Sequence, residues 1–98
     1  MSKYEPNNIL DIAEDIADTV SAKNHDYDRA FEKSFDEYGW PTYFIRLGDK
    51  VNRLKALTIK NEEILVNESV EDTLQDIVGY TLLLLEIIKR NKEEETNE

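Results

Sequence analysis

Three acidic side chains, Glu68, Asp72 and Asp76, recur at every fourth position near the start of the last predicted helix. At about 100° per residue, they share one helix face within an arc of about 80°. Carboxylates spaced in this way can present several oxygens to one hard cation, and Mg²⁺ takes one or two carboxylates together with waters and phosphate oxygens. We therefore predict that all three bind Mg²⁺ and that Asp72 and Asp76 are catalytic.

The first two of these acids also have a structural explanation. Ser69 with Asp72 three residues later is typical of a capping box, in which each residue satisfies a backbone N–H of the other. Acids in a first helical turn are stabilised by the helix dipole as well. Neither effect reaches Asp76, so this residue is the stronger candidate for a ligand-binding role.

A second polar set precedes this helix, where Arg46, Asp49 and Arg53 recur at i, i+3 and i+7. Arginines beside a carboxylate suit a triphosphate and its Mg²⁺, although the same spacing also gives ordinary helix ion pairs worth a few tenths of a kcal/mol. We predict Asp49 as a further metal ligand. The predicted phosphate or nucleotide contacts are Lys23, Arg46, Lys50, Asn52 and Arg53.

Two features near these sets remain open to more than one interpretation. Gly48 costs a helix about 1 kcal/mol relative to alanine, which favours close approach of another helix or of a ligand. His25, the one histidine, lies between acids in a predicted loop, where an exposed or capping role is more common than catalysis. Nearby aromatic residues suit either base stacking or core packing: Tyr27, Tyr38, Trp40 and Tyr43.

The elements that must position these residues are four predicted helices, and no segment shows the alternation of a half-buried strand. The first runs from about Asn8 to Lys23, the second from Arg29 to Tyr38, the third from Pro41 to about Lys60 and the last from Ser69 to about Lys92. Asp28 is a candidate N-cap for the second helix, and Gly39 ends it. The fold class is therefore all-α, a small four-helix bundle-like domain.

Length and composition allow one domain, which we assign to residues 1–92, with an acidic disordered tail over residues 93–98. Apolar residues cover the last helix almost all round between Leu82 and Ile88, which is typical of a helix that is either central to the bundle or shared with another subunit. We expect a homo-oligomer formed through this helix. No secretory leader or membrane-spanning run is present, so we expect a cytoplasmic location and no membrane partner.

The side chains also exclude several classes of function. The absence of cysteine excludes disulfides, thiolate zinc sites and cysteine nucleophiles. A net charge of −10 argues against direct nucleic-acid binding. The chain has no glycine-rich phosphate loop, so phosphate must be bound by side chains.

Three polar segments together resemble the phage nucleotide-modification-associated domain family, the first of its kind, over roughly residues 20 to 90. Asp28 departs from the pattern, because glycine is expected after the Asp-Tyr pair. The segments are Lys23-Asn24-His25-Asp26-Tyr27, Arg46-Leu47-Gly48-Asp49-Lys50-Val51-Asn52-Arg53-Leu54, and Glu68-Ser69-Val70-Glu71-Asp72-Thr73-Leu74-Gln75-Asp76 ending in Tyr80.

The helix that contains Asp76 and Tyr80 is also loosely similar to the last metal-binding helix of the all-α, MazG-like nucleoside triphosphate pyrophosphatases. Both resemblances imply a nucleotide ligand, and the second implies Mg²⁺-dependent release of diphosphate. The alternative function is a non-enzymatic phage inhibitor of a host protein or system. It would sequester a nucleotide signal or imitate DNA with the acids of the first helix: Asp11, Glu14, Asp15 and Asp18.

Overall fold

The structure is a computed structural model that describes residues 6–60 and 69–97. Four helices make up the described chain: α1 (Pro6–Asp26), α2 (Ala30–Tyr38), α3 (Trp40–Thr58) and α4 (Val70–Asn97). The all-α prediction is confirmed. The end of α4 lies beyond the predicted end at Lys92, and the acidic residues 93–96 are exposed on its last turns.

Helix α4 is the centre of the arrangement, because α1, α2 and α3 all pack against it. Tyr43 contacts Thr81 while Lys50 pairs with Asp76, so α3 runs antiparallel to α4. Helix α1 runs in the same direction as α4. Val20 of α1 contacts Gly79, and Arg29, which follows α1, pairs with Glu86 farther along α4. Both α1 and α3 therefore flank α4.

The core lies where α2 packs on the second half of α4. Phe31, Leu84 and Ile87 are buried there, with further aromatic and aliphatic side chains around them: Phe35, Tyr43, Tyr80, Leu83 and Ile88. Leu85, by contrast, is exposed, so the described residues cover only one side of the apolar run on α4. The predicted homo-oligomer stays a prediction. None of the four described helices is long and apolar enough to span a membrane.

Helix ends follow the local sequence in most places. The capping box of α4 is confirmed: the Asp72 N–H donates to Ser69 Oγ at 3.0 Å and the Ser69 N–H donates to Asp72 Oδ2 at 3.4 Å. Gly39 has φ of 74°, a conformation that favours glycine, and it separates α2 from α3 as predicted. Glu68 and the predicted loop around Asn61 lie outside the described residues.

The predicted N-cap of α2 is wrong. Arg29 occupies that position with no side-chain cap hydrogen bond, and Asp28 instead forms an ion pair with Lys33. Both Asp28 and Arg29 have positive φ values, 53° and 57°, so their backbone lies in the left-handed region. This geometry explains why a glycine was expected at position 28, because glycine adopts that region without a Cβ clash.

The two glycines inside helices have opposite surroundings. A Cβ added at Gly79 would lie 2.8 Å from Val20 Cγ2, so this glycine allows close approach of α1 to α4. A Cβ at Gly48 would meet nothing within 4 Å among the described residues. The predicted close approach of another helix at Gly48 is therefore wrong within the described chain, and the contact occurs at Gly79 instead.

Candidate functional site

A groove lies between α1 and α3, with α4 as its floor. Its volume is about 600 Å³, a size typical of small-molecule sites. Asp76, Gly79, Tyr80 and Leu83 form the floor, because their spacing of i, i+3, i+4 and i+7 places them on one helix face. The walls come from the other three helices and the segment joining α1 to α2: Ile16, Thr19, Val20, Lys23, Asn24, Tyr27, Ala30, Phe31 and Arg46.

One end of the groove is apolar and aromatic. Tyr27, Phe31 and Leu83 line it, and the rings of Phe31 and Tyr80 pack with their centroids 5.7 Å apart. Of the four aromatic residues that the sequence suggested for base stacking, Tyr27 lines this groove. Trp40 instead packs edge-on against Phe35, and Tyr43 shares a hydrogen bond with Thr81. This end offers a surface on which a flat ring can stack.

The other end opens into a smaller cationic recess of about 200 Å³, which Arg46, Asp49, Lys50, Arg53 and Tyr80 line. Arg46 and Tyr80 belong to both the groove and the recess, so the two spaces adjoin. The guanidinium carbon of Arg46 lies 6.0 Å from the Tyr80 ring centroid, within the range of a cation–π interaction. Among the described residues, the recess thus has three cationic side chains and one acid.

An ion pair connects the recess to the groove. Lys50 Nζ lies 2.8 Å from Asp76 Oδ2, and the two side chains are 24% and 30% exposed. A carboxylate at this position is accessible to a ligand while it already has a cationic neighbour. The arrangement brings Asp76, which the sequence predicted as a metal ligand, to the predicted phosphate contacts of α3.

Four of the five predicted phosphate contacts line this site. Lys23 and Arg46 lie in the groove, and Lys50 and Arg53 lie in the recess. Asn52 is exposed and lies outside both spaces. A protein with a net charge of −10 therefore concentrates four of its twelve cationic side chains around one pair of joined cavities.

The predicted metal ligands are placed differently from one another. Asp76 lies in the groove and Asp49 in the recess, whereas Asp72 is exposed and occupied in the capping box. Glu68 lies outside the described residues. Within residues 6–60 and 69–97, no three acidic or histidine side chains lie close enough together to hold one metal ion. The donor set there fits a cation that phosphate oxygens and water also coordinate.

Glu32 is a buried charged residue that the sequence did not reveal as important. Its carboxylate accepts from Asn24 Nδ2 at 3.2 Å and pairs with Arg29 Nε at 3.3 Å and Arg90 Nη2 at 3.0 Å. Burial alone would raise the pKa of the Glu32 carboxyl, but these donors outweigh it and hold its pKa below the ordinary value. Arg90 is far away in sequence, so no local spacing indicated this cluster.

His25 lies at the surface at the end of α1. Its side chain is 91% exposed, with Nδ1 3.6 Å from an Asp26 carboxylate oxygen. The expectation of an exposed histidine is confirmed. The ring lines neither the groove nor the recess, and it lies instead at a second cavity with Asp28, Arg29 and Glu86.

Comparison with known proteins gives one match. The model of the nucleotide modification associated domain 1 family matches residues 23–88, which include the lining of the recess and that of the groove except for Ile16, Thr19 and Val20. A search of curated proteins and a search of solved structures found no match. Because the family match spans more than half of the chain, the chain belongs to the nucleotide modification associated domain 1 family.

Proposed function

We propose that the groove and the cationic recess together bind a nucleotide, with the phosphates at the recess and the base at the aromatic end. The observation that carries this proposal is the joining of a cationic cavity to an apolar one through Arg46 and Tyr80. A nucleotide has the same division, because its phosphates are anionic and its base is flat and largely apolar on its faces.

The dimensions of the floor agree with this orientation. Asp76 and Leu83 lie seven residues apart on α4, which corresponds to about 10 Å along the helix axis. A ribose and the first phosphates span a comparable distance between a base and a terminal phosphate. The charged and aromatic ends of the groove are thus far enough apart to contact opposite ends of one nucleotide.

Electrostatics favours the same assignment. Lys23 and Arg46 face the groove, while Lys50 and Arg53 line the recess together with Asp49, and Lys50 also pairs with Asp76. The chain as a whole carries a net charge of −10, so a phosphate is attracted to this cluster of cations and not to the chain in general. The family name, which associates the domain with nucleotide modification, is consistent with such a ligand.

A Mg²⁺ ion fits this proposal when it arrives with the triphosphate. Asp76 and, from the recess, Asp49 are the carboxylates available to it, and phosphate oxygens and waters would complete its coordination. Bound there, the ion would neutralise phosphate charge and lower the pKa of a bound water. Arg46 and Lys50 would hold the triphosphate against the floor of the groove.

For the reaction, we propose diphosphate release from a bound triphosphate. Water attacks the α-phosphorus, the bond from that phosphorus to the bridging oxygen breaks, and diphosphate and a nucleoside monophosphate leave. Asp76 is the carboxylate best placed to bind the accompanying Mg²⁺, because it lines the groove, whereas the Asp72 carboxylate accepts a hydrogen bond in the capping box.

The test is calorimetric titration with ribo- and deoxynucleoside triphosphates, monophosphates and cyclic dinucleotides, with and without Mg²⁺, followed by chromatography of the products. Arg46→Gln is expected to weaken triphosphate binding by about tenfold or more, because it removes a charged phosphate contact. Lys55→Gln is the matched control, since it removes one exposed cation of the same helix outside the recess.

The outcomes separate the proposals. Magnesium-dependent binding with diphosphate release supports the hydrolase, and binding without products supports a protein that sequesters a nucleotide. Equal effects of the two variants, or no binding of any nucleotide, would overturn the nucleotide site. In the last case, a host protein that contacts the exposed acids of α1 becomes the better hypothesis: Asp11, Glu14, Asp15 and Asp18.

A further inference from the structure

The side-chain amide of Asn24 has a defined orientation. Its nitrogen Nδ2 donates to Glu32 Oε1 at 3.2 Å. A charged carboxylate only accepts hydrogen bonds, so the nitrogen must face Glu32. Turning the amide over would place its oxygen against the carboxylate and lose the bond. The carbonyl oxygen of Asn24 is therefore held away from Glu32.

The carboxylate that sets this orientation is itself fixed. Glu32 is 8% exposed and lies on α2, while Arg90 of α4 binds its second oxygen at 3.0 Å. Arg29 lies 3.3 Å from the oxygen that accepts from Asn24. Charged partners and burial restrict the rotamer of Glu32. Arg90 of α4 therefore fixes Glu32, and Glu32 fixes the side-chain amide of Asn24 at the end of α1.

Asn24 lies at the aromatic end of the groove. It lines the groove with Tyr27, Phe31 and Leu83, it also lines a second cavity beside Glu86, and it is not part of the lining of the recess. If phosphates occupy the recess, the base lies beside Asn24. A polar group fixed next to a stacking surface is the usual means by which a pocket selects one base edge over another.

We propose that Asn24 Oδ1 accepts a hydrogen bond from an exocyclic amino group of the base, with Glu32 as the positioning residue. The site then takes nucleotides of adenine, cytosine or guanine in preference to those of uracil or thymine. This inference rests on the proposed nucleotide site. Cytosine has an amino group where uracil has a carbonyl oxygen, and a carbonyl facing Asn24 Oδ1 would place two acceptors together.

The experiment compares ligands that differ in this group and in the proton on the ring nitrogen beside it. Calorimetric titration of the full chain with dCTP and dUTP, and with ATP and ITP, measures the preference for an amino group over a carbonyl. Inorganic triphosphate serves as the probe for the phosphate subsite alone. We expect each amino-bearing ligand to bind about tenfold more tightly than its carbonyl analogue.

The matched variants are Glu32→Gln and Glu86→Gln. A glutamine at position 32 can both donate and accept, so the Asn24 amide can turn over and the preference should fall toward unity, with inorganic triphosphate binding unchanged. Glu86 also pairs with Arg29 and Arg90, but the Asn24 amide donates to Glu32 and not to Glu86. Its variant should therefore keep the tenfold preference. If Glu32→Gln does not fold, Asn24→Ala provides the test by loss of the same preference.

The results distinguish this inference from the site on which it rests. Triphosphate binding with equal affinity for dCTP and dUTP, or with tighter binding of dUTP, would overturn the role of Asn24 and leave the nucleotide site intact. A lack of binding to inorganic triphosphate and to every nucleotide would overturn the nucleotide site itself. Equal loss of preference in the Glu32 and Glu86 variants would assign the effect to general packing.

Discussion

The ammonium nitrogen of Lys50 lies 2.8 Å from a carboxylate oxygen of Asp76, which joins α3 to α4 where the cationic recess meets the groove. The pair has two consequences. It holds a cation and an acid of the proposed site together in the absence of a ligand. It also means that a bound Mg²⁺ must share the Asp76 carboxylate with Lys50 or displace its ammonium.

Asp76→Asn is expected to abolish any Mg²⁺-dependent release of diphosphate while the far-ultraviolet circular dichroism stays unchanged. The stability cost should be below about 1 kcal/mol, because the lost ion pair is partly exposed. Product chromatography and urea unfolding measure the two effects. Asp36→Asn, an exposed position on α2, is the control. Undiminished turnover in the Asp76 variant would remove this residue from the reaction.

Ser69→Ala and Asp72→Ala should each lower the free energy of unfolding by about 1 kcal/mol, because each breaks the capping box of α4. Thermal unfolding measures this cost. The pair also separates two roles of Asp72, since only one variant removes its carboxylate. Equal nucleotide affinities in both variants would limit Asp72 to capping, whereas a loss in the Asp72 variant alone would support the predicted metal contact.

Gly79→Ala is expected to destabilise the fold by on the order of 1 kcal/mol, even though alanine is the better helix former. The new Cβ would lie 2.8 Å from Val20 Cγ2, so α1 must move away from α4. Combining Gly79→Ala with Val20→Ala should recover stability relative to the sum of the single changes. Additive losses in this double-mutant cycle would contradict the contact.

Gly48→Ala should stabilise the protein by about 1 kcal/mol, because no described residue lies within 4 Å of the new Cβ to oppose the gain in helix propensity. Chemical denaturation measures the change, and nucleotide titration accompanies it. Unchanged stability would mean that another group contacts the new Cβ and offsets the gain in helix propensity. Loss of binding or of an oligomer would show that a ligand or a second chain approaches Gly48.

The contribution of Glu32 to stability should depend on pH. The folded pKa of its carboxyl lies below the ordinary value of 4.5, so this stabilisation is fully present above that pH and is lost as pH falls through the folded pKa. Glu32→Gln should therefore cost about 1–3 kcal/mol at neutral pH and less at about pH 3. Urea unfolding at the two pH values tests this, and an equal cost at both would contradict it.

Local sequence predicted the secondary structure well, because helix periodicity and end signals depend on neighbours within a few residues. Ser69 and Asp72 make the predicted cap of α4. Gly39 separates α2 from α3 and has a positive φ, which glycine adopts more easily than other residues. The exceptions are the ends of α1 and α4, which lie beyond the predicted ones, and Asp28, which pairs with Lys33 instead of capping α2. An exposed carboxylate can cap a helix or form an ion pair, and with the left-handed backbone of this segment Asp28 forms the ion pair.

The sequence by itself also determined which residue types are available to the site: an acidic chain with a few cations on the face of α3 and no cysteine. Tertiary packing decided which of them meet. Helix α4 brings Asp76 to Lys50 and leaves Asp72 at the surface, and it brings Arg90 to Glu32, which in turn orients Asn24. These contacts join residues from different helices, so they depend on how close each helix approaches α4, and the contact of Val20 with Gly79 sets that distance for α1.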